Sequence, residues 1–382
     1  MKLRFQNFIS FYFLLFIVFF PVNIDSFDFQ KSVSLFLFED LTRFLGSFFL
    51  AKAFLIDFSS DSFSMLMLLF IFLILSVIFS FLLNKSRRIF SFTQKVTVYY
   101  IAVVLLKYGV DKLFKTQFYL PEPNILYTKF GNLDQDILYW SVMGTSRSYS
   151  ILLGIIEIGI TLLLLFKKTR FVGLILAFFT FTNIIIINFC FDISVKFFST
   201  TLLLMTIFAI GNTWKAIYIF LIKKRMISVE TSDFAFEKKF LPFLFPAKIL
   251  GLGFVLLQTF LPYFHNKNWN DDLAKRPFLH GSYEVINNSK KNIKYVFFHR
   301  DNYLIFMDKQ EHTWDYHYEI DTAKQKVSAR NNFENTLIFE YKFENNLLLF
   351  KNEHQEILKL KKIDWKNMPA LQPKFHWFTE QL

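Results

Sequence analysis

Glu157 stands seven residues inside an apolar run that begins near Ser150, where an ionised side chain is costly, about 2.5–3.5 kcal/mol at the centre of a bilayer, unless something pairs with it. At 1.5 Å per residue it lies roughly 10 Å from that end of the run. Lys107, seven residues before the end of the run 95–114, and Asn183, seven before Cys190, reach a similar depth when neighbouring runs cross in opposite senses. A carboxylate, an ammonium and an amide are thus expected at one level. Lys112 sits nearer the surface and shares a helix face with Tyr108 at i, i+4. Depth favours Lys107 as the partner of Glu157, but helix rotation decides between the two lysines. Two uses fit such a group. One is a polar clamp that holds helices together, with the asparagines bonding across them; the other is a small pocket in which Lys and Glu bind or protonate a polar head group. Trp140, Met143 and Tyr149, in the loop 115–149 that also holds Pro121 and Pro123, supply an aromatic edge suited to anchoring at the headgroup level or to stacking on a ligand.

The elements that must position these residues are transmembrane helices. The chain is 53% hydrophobic and holds 55 Phe in 382 residues, more apolar than soluble domains usually are. Runs long enough to cross a bilayer are expected at 7–22, 63–83, 95–114, 150–166, 171–190, 197–221 and 243–264. Lys2/Arg4, Lys85/Arg87/Arg88, Lys167/Lys168/Arg170 and Lys223/Lys224/Arg225 all fall on one side when the runs alternate. The positive-inside rule makes that side the cytoplasm and puts 23–62, 115–149, 191–196 and the tail from 265 outside. The first run has a signal peptide as its rival reading, but no A-x-A-like site follows it, which favours a retained span. Residues 31–56 read as an amphipathic helix in the outer interface, with a re-entrant segment as the alternative. Ser59, Ser60, Asp61 and Ser62 offer an N-cap to the next span. The formal charge of +12 belongs largely to short loops beside apolar runs, so topology accounts for it and nucleic acid is not an expected partner.

Tyr108-Gly109-x-x-Lys112, Gln117-Phe118 with Pro121, Trp140-x-x-Met143-Gly144-x-Ser146-x-x-Tyr149 and Glu157, continuing through Thr169, Gly173, Asn183, Asn188, Asp192 and Val195-Lys196, resemble the DoxX-like bacterial membrane proteins. The likeness covers about 95–210 and is closest to the longer Bacteroidetes type. It implies a four-helix core, a further span and a periplasmic domain in the inner membrane, and it favours Lys112 over Lys107. It also makes Asn188 a ligand-binding candidate and Asp192 and Lys196 rim candidates, although Asp192 and Lys196, four apart, could simply pair at the surface. Some DoxX relatives work in membrane redox reactions with quinone as acceptor, and others with partner oxidoreductases. Here Cys190 is the single cysteine, so no internal disulfide or Cys-x-x-Cys pair can form, and residues 1–264 contain no histidine to ligate haem.

From 265 the character changes: all seven histidines fall in 265–382, and from Gly281 the periodicity is two. In 312–320 Trp314, Tyr316, Tyr318 and Ile320 alternate with Asp315, His317 and Glu319, and in 335–343 Leu337, Phe339, Tyr341 and Phe343 alternate with Ile338, Glu340 and Lys342, so each stretch reads as a strand with one buried face. With turn signals at Asn287-Asn288, Arg300-Asp301-Asn302, Asn331-Asn332 and Asn345-Asn346, this predicts seven or eight short antiparallel strands in a β-sandwich or a small up-and-down barrel with a filled interior. His312 and His317 are five apart and so on opposite strand faces, and no metal site is expected. The tail with Trp365, Pro369, Pro373, His376 and Trp377 is expected to pack across the domain or touch the membrane surface.

The expected protein is therefore an α-helical transmembrane bundle of about seven spans (1–264) followed by a small all-β domain (265–382). Its foremost functional reading is an accessory or ligand-binding component of an envelope complex, with the lipid bilayer and a membrane or periplasmic protein as partners and without independent catalysis. An oxidoreductase subunit using quinone or lipid is the alternative. A small-amphiphile transporter ranks below both, because neither a second charged layer near the inner face nor an inverted repeat is visible.

Overall fold

The computed structural model describes residues 2–20, 29–50, 54–83, 87–211, 213–224, 241–287, 292–331, 336–352 and 355–372. Lys85, Arg225, Asn288, Asn332, Pro373, His376 and Trp377 lie outside the described residues. Among those described, eleven α-helices are followed by eight strands. The helices are α1 (Lys2–Phe19), α2 (Phe29–Ser47), α3 (Phe63–Leu82), α4 (Arg87–Leu113), α5 (Pro123–Tyr127), α6 (Gln135–Thr145), α7 (Arg147–Leu165), α8 (Arg170–Cys190), α9 (Lys196–Ile210), α10 (Thr213–Lys223) and α11 (Leu241–Asn266). The chain forms two compact units: Met1–Gln117 with Ile151–Trp269, and Phe118–Ser150 with Asn270–Leu382. The loop between α4 and α7 therefore belongs with the β-domain.

In the first unit, α3, α4, α7 and α8 are long and apolar enough to cross a membrane, and Leu3–Phe19 and Lys196–Ile210 form shorter apolar helices. The run expected as one span at 197–221 is two helices. It breaks at Gly211, whose φ of 52° is readily adopted only without a Cβ, and whose N–H still closes on the Ile207 carbonyl. Ser62 caps α3 as the sequence suggested, accepting from the Met65 N–H at 3.0 Å. Asp61 serves a different helix: its carboxylate accepts the N–H groups of Lys196 and Phe197 at 2.7 and 3.0 Å and so caps α9.

Aromatic packing organises the interior. Phe16 and Phe20 stack on Phe198 of α9, while Phe38 of α2 wedges between Phe19 and Phe72. Lipid tails are as apolar as Phe, so close fit rather than transfer from water selects these contacts. Helix α2 lays Ser34, Phe38, Thr42 and Gly46, one residue per turn, against its neighbours. Ser34 and Gln30 donate to the Phe19, Ile17 and Val18 carbonyls, which α1 would otherwise leave open at its C-terminus. Its charged residues face outward, with Glu39 paired to Arg43 at 2.8 Å.

In the second unit the strands β1 (Gly281–Val285), β2 (Ile293–Phe298), β3 (Tyr303–Asp308), β4 (Thr313–Asp321), β5 (Lys326–Arg330), β6 (Thr336–Glu344), β7 (Leu347–Asn352) and β8 (Ile357–Ile363) pair antiparallel in sequence order. Pairing of β1 with β8 closes the sheet into a barrel, which settles the choice between sandwich and barrel and removes both edges. The inward residues fill it: Val296, Phe298, Leu304, Phe306, Tyr318, Phe339, Phe350 and Leu360 are all buried, and Phe339 stacks on Phe350 at 4.2 Å. Phe343, expected inside with Phe339 and Tyr341, is 54% exposed and meets Phe278 instead. It lies one residue from the end of β6, where the barrel no longer encloses alternate positions.

Residues 118–150 are held to the barrel by charge and ring contacts. Glu122 meets His280 Nε2 at 2.7 Å and accepts the Arg300 N–H. Arg300 covers the Tyr119 ring at 4.4 Å and donates both terminal nitrogens to Asp271, which Arg276 also engages at 2.7 Å. Tyr127 packs on Tyr295 and Phe297, and Lys129 reaches Glu311 at 3.0 Å. Gly144 is required by closeness, since a Cβ there would collide with the Tyr119 carbonyl oxygen.

Burial works against the charge on Asp271, but hydrogen bonds from Arg300 and Arg276 outweigh it and hold the carboxyl at about 2. Burial likewise opposes ionisation of Glu122, and the His280 hydrogen bond, with nearby His299 and Arg300, brings it below the usual carboxylate range. A depressed carboxyl stabilises the fold fully above its unfolded value and loses that contribution as pH falls through its folded one. Hydrogen-exchange mass spectrometry, corrected for intrinsic rates, should therefore show protection of 118–130 and 293–298 declining between pH 3.8 and about 2. In the variant Asp271→Asn that protection should already be reduced at neutral pH; unchanged protection in it would disprove the clamp.

Candidate functional site

The best-defined polar site of the first unit is built on α4 and α7. Two glycines set its geometry. A Cβ on Gly154 would lie 2.6 Å from the Gly109 carbonyl oxygen, and one on Gly109 would lie 3.0 Å from the Gly154 oxygen. The helices thus touch backbone to backbone, as small residues permit inside membranes. Three residues on from each glycine stands a charge, Lys112 on α4 and Glu157 on α7. The Lys112 ammonium donates to both oxygens of Glu157, at 2.9 and 2.8 Å, with the two side chains only 7% and 6% exposed. The ammonium also lies 5.6 Å from the Tyr108 ring centre, a cation–π contact on its own helix. One turn further along α7, Thr161 donates to the Ala102 carbonyl at 3.2 Å and ties the same two helices again.

Depth alone ranked Lys107 as the partner of Glu157, and here the structure decides for Lys112. The Gly109 contact fixes the rotation of α4 so that the position three residues later faces α7. Lys107 is engaged by its own helix, donating to Asp111 at 2.9 Å. Asp111 also accepts from the Tyr263 hydroxyl of α11 and from Thr116, and the Lys107 ammonium lies 5.8 Å from the Tyr263 ring. Phe114 and Trp269 flank that tyrosine. Two ion pairs therefore occupy the last two turns of α4, one binding it to α7 and the other to α11 through Tyr263.

The remaining candidates separate. Asn188 is buried and donates to Ser199 on α9 at 3.0 Å, an amide bond across helices. Asp192 pairs with Lys196 at 2.6 Å, with the Asp side chain 84% exposed. Asn183 is exposed. The packed face of α8 carries Gly173, Leu174, Ala177, Phe181 and Asn188, and two residues beyond Phe181 point the other way. Trp140 and Tyr149 belong to the second unit. Trp140 packs on Phe118 and Tyr139, and Tyr149 is 45% exposed. Among the described residues no three His, Cys, Asp or Glu side chains converge on a metal position.

Sequence reading passed over Asp111, Gly154 and Tyr263. Asp111 had a signal, an opposite charge four residues after Lys107; Gly154 had one too, since it precedes Glu157 by the same three residues that separate Gly109 from Lys112. Tyr263 had none, because its role depends on where α11 packs.

Residues of this chain are 31% identical over 106 positions to the uncharacterized protein YwoB of Bacillus subtilis (strain 168), a match covering 28% of this chain and 67% of YwoB. No family model and no solved structure matches the chain.

Removing one member of a buried pair strands the other charge, at a cost of about 3–5 kcal/mol, whereas replacing both with apolar residues is often neutral. Lys112→Ala and Glu157→Ala should each lower the unfolding temperature in detergent clearly, and Lys112→Met combined with Glu157→Leu should recover most of the loss. Equal destabilisation by the single and double variants would contradict the pairing. Gly154→Ala, which drives a methyl group into the Gly109 carbonyl, should destabilise as strongly as either single loss.

Proposed function

We propose, for a chain that belongs to one family with YwoB, the role of a multi-pass membrane protein of DoxX-like type. Its α4–α7 site holds the polar head of a lipid or quinone for a partner in the cell envelope. The observation that carries this reading is the bidentate Lys112–Glu157 pair, buried between two helices that are long and apolar enough to cross a membrane. Such residues inside membranes usually mark a ligand or proton site. Lys112 stands 25 residues after Arg87, about 37 Å along the axis. If the arginine end is cytoplasmic, as the positive-inside rule has it, the pair lies near the opposite surface of a bacterial inner membrane. The same rule supports about seven spans, an N-terminus in the cytoplasm and a barrel in the periplasm.

At this site the ammonium offers a donor to a carbonyl or phosphate oxygen, and the carboxylate accepts from a hydroxyl. A ligand bearing both would open the ion pair and take its place, one hydrogen bond for another. The filled barrel interior leaves the outside of the barrel as the surface for a protein partner, in keeping with an accessory role rather than independent catalysis.

Native mass spectrometry of the protein released from mild detergent tests the reading. The wild type is expected to retain a lipid or quinone that Glu157→Gln, which keeps the shape and removes the charge, loses. Equal retention by both proteins, or an empty wild type, would overturn it.

A further inference from the structure

The inner face of α4 carries a second polar feature that the ion pair does not use. Thr93, Thr97, Tyr100 and Tyr108 recur at intervals of four, three and eight residues, within about 80° of one another around the helix. Thr93 and Thr97 are fully buried. Thr93 donates back to the Ile89 carbonyl, as a threonine inside a membrane helix normally does. Thr97 and Tyr100 do not: each hydroxyl is buried and has no hydrogen-bond partner among the described residues. On α1, which packs against α4, the amide oxygen and nitrogen of the fully buried Asn7 are in the same position.

Buried hydroxyls and amides are seldom left unbonded, since each costs about 1–3 kcal/mol, and ordered water commonly supplies the missing bond. The line of groups has an end at each side. The Tyr108 ring lies 5.6 Å from the Lys112 ammonium, and its side chain, like others on a helix, leans back toward the N-terminus and so toward Tyr100. At the other end, beyond Thr93, stand Arg87 and Arg88. From Thr93 to Lys112 is 19 residues, about 28 Å of helix, close to the thickness of a bilayer's hydrocarbon core.

We propose that this face of α4 holds a file of water, bonded by Thr97, Tyr100 and Tyr108, that conducts protons between the Lys112–Glu157 pair and the Arg87 end of the helix. In each transfer the Glu157 carboxylate takes up one proton from its own side and becomes a neutral acid. The proton then passes along the file, every water or hydroxyl accepting one on one face and releasing its own on the other, and one proton leaves at the far end. Only O–H bonds are exchanged, so no oxidant or co-reactant is needed. Conduction goes beyond the ligand reading and does not require it.

The test is full-length protein in liposomes containing a pH-sensitive dye, with valinomycin and potassium clamping the potential while an imposed pH gradient decays. Wild-type protein should speed the decay several-fold over empty liposomes. Tyr100→Phe and Thr97→Val should each return it towards the empty rate, and Thr97→Ser, which restores a hydroxyl, should keep the wild-type rate. Radiolytic hydroxyl-radical labelling, which marks side chains beside bound water, should modify Tyr100 in the wild type. A wild type no faster than empty liposomes, or variants that fold normally by size exclusion and conduct as the wild type does, would overturn the proposal, as would an unlabelled Tyr100. A bound lipid or quinone retained by Tyr100→Phe alongside lost conduction would separate the two readings, since the ligand depends on Glu157 and the file does not hold it.

Discussion

The contact between Gly109 and Gly154 is the constraint on which the polar site of the first unit depends. Two helices meeting backbone to backbone at these glycines come close enough for a lysine and a glutamate three residues further on to meet in full bidentate geometry. The pair in turn makes the crossing specific. An apolar contact between two such helices could slide or rotate at little cost, whereas a slip of one residue would leave an ammonium and a carboxylate unpaired in an apolar medium. The Asp111 network acts at the neighbouring position, where Lys107, Thr116 and Tyr263 share one carboxylate and fix α11 against α4. Charges here serve as register marks on surfaces that hydrophobicity alone would leave degenerate.

The second unit solves another problem. An eight-stranded sheet with this many aromatic side chains would expose two reactive edges if left open, and closing β1 on β8 removes both while the rings fill the space enclosed. The segment 118–150 is then added to the outside by a layered clamp. Asp271 is fully buried and stays ionised because two arginines surround it, and Arg300 passes the contact on to Tyr119 through its flat face. This segment joins α4 to α7 in the chain and belongs to the compact unit of the barrel.

Much of this was legible in the residues. The apolar runs marked α3, α4, α7 and α8 to within a few residues except at the start of α4, because a continuous apolar stretch has few other stable states. Period-two alternation marked the strands, and Ser62 marked a cap. Failures arose where the answer depends on a neighbour distant in sequence. Asn183 shares a depth with Glu157 but points away from the packed face of α8. Phe343 keeps the alternation of β6 but lies beyond the reach of the barrel. The run 197–221 is apolar throughout, yet it breaks at a glycine with a positive φ.

Composition and the length of the apolar runs by themselves determined that this chain carries helices able to cross a membrane, where four of them lie, and that an all-β domain follows, since these rest on local transfer energies and local periodicity. Tertiary structure decided which lysine meets Glu157, that Asp61 caps α9 rather than α3, that the sheet closes, and that the loop after α4 belongs with the barrel. Each of those depends on helix rotation or on contacts between residues far apart in the chain, and such rotations and contacts come into being only when the elements pack together.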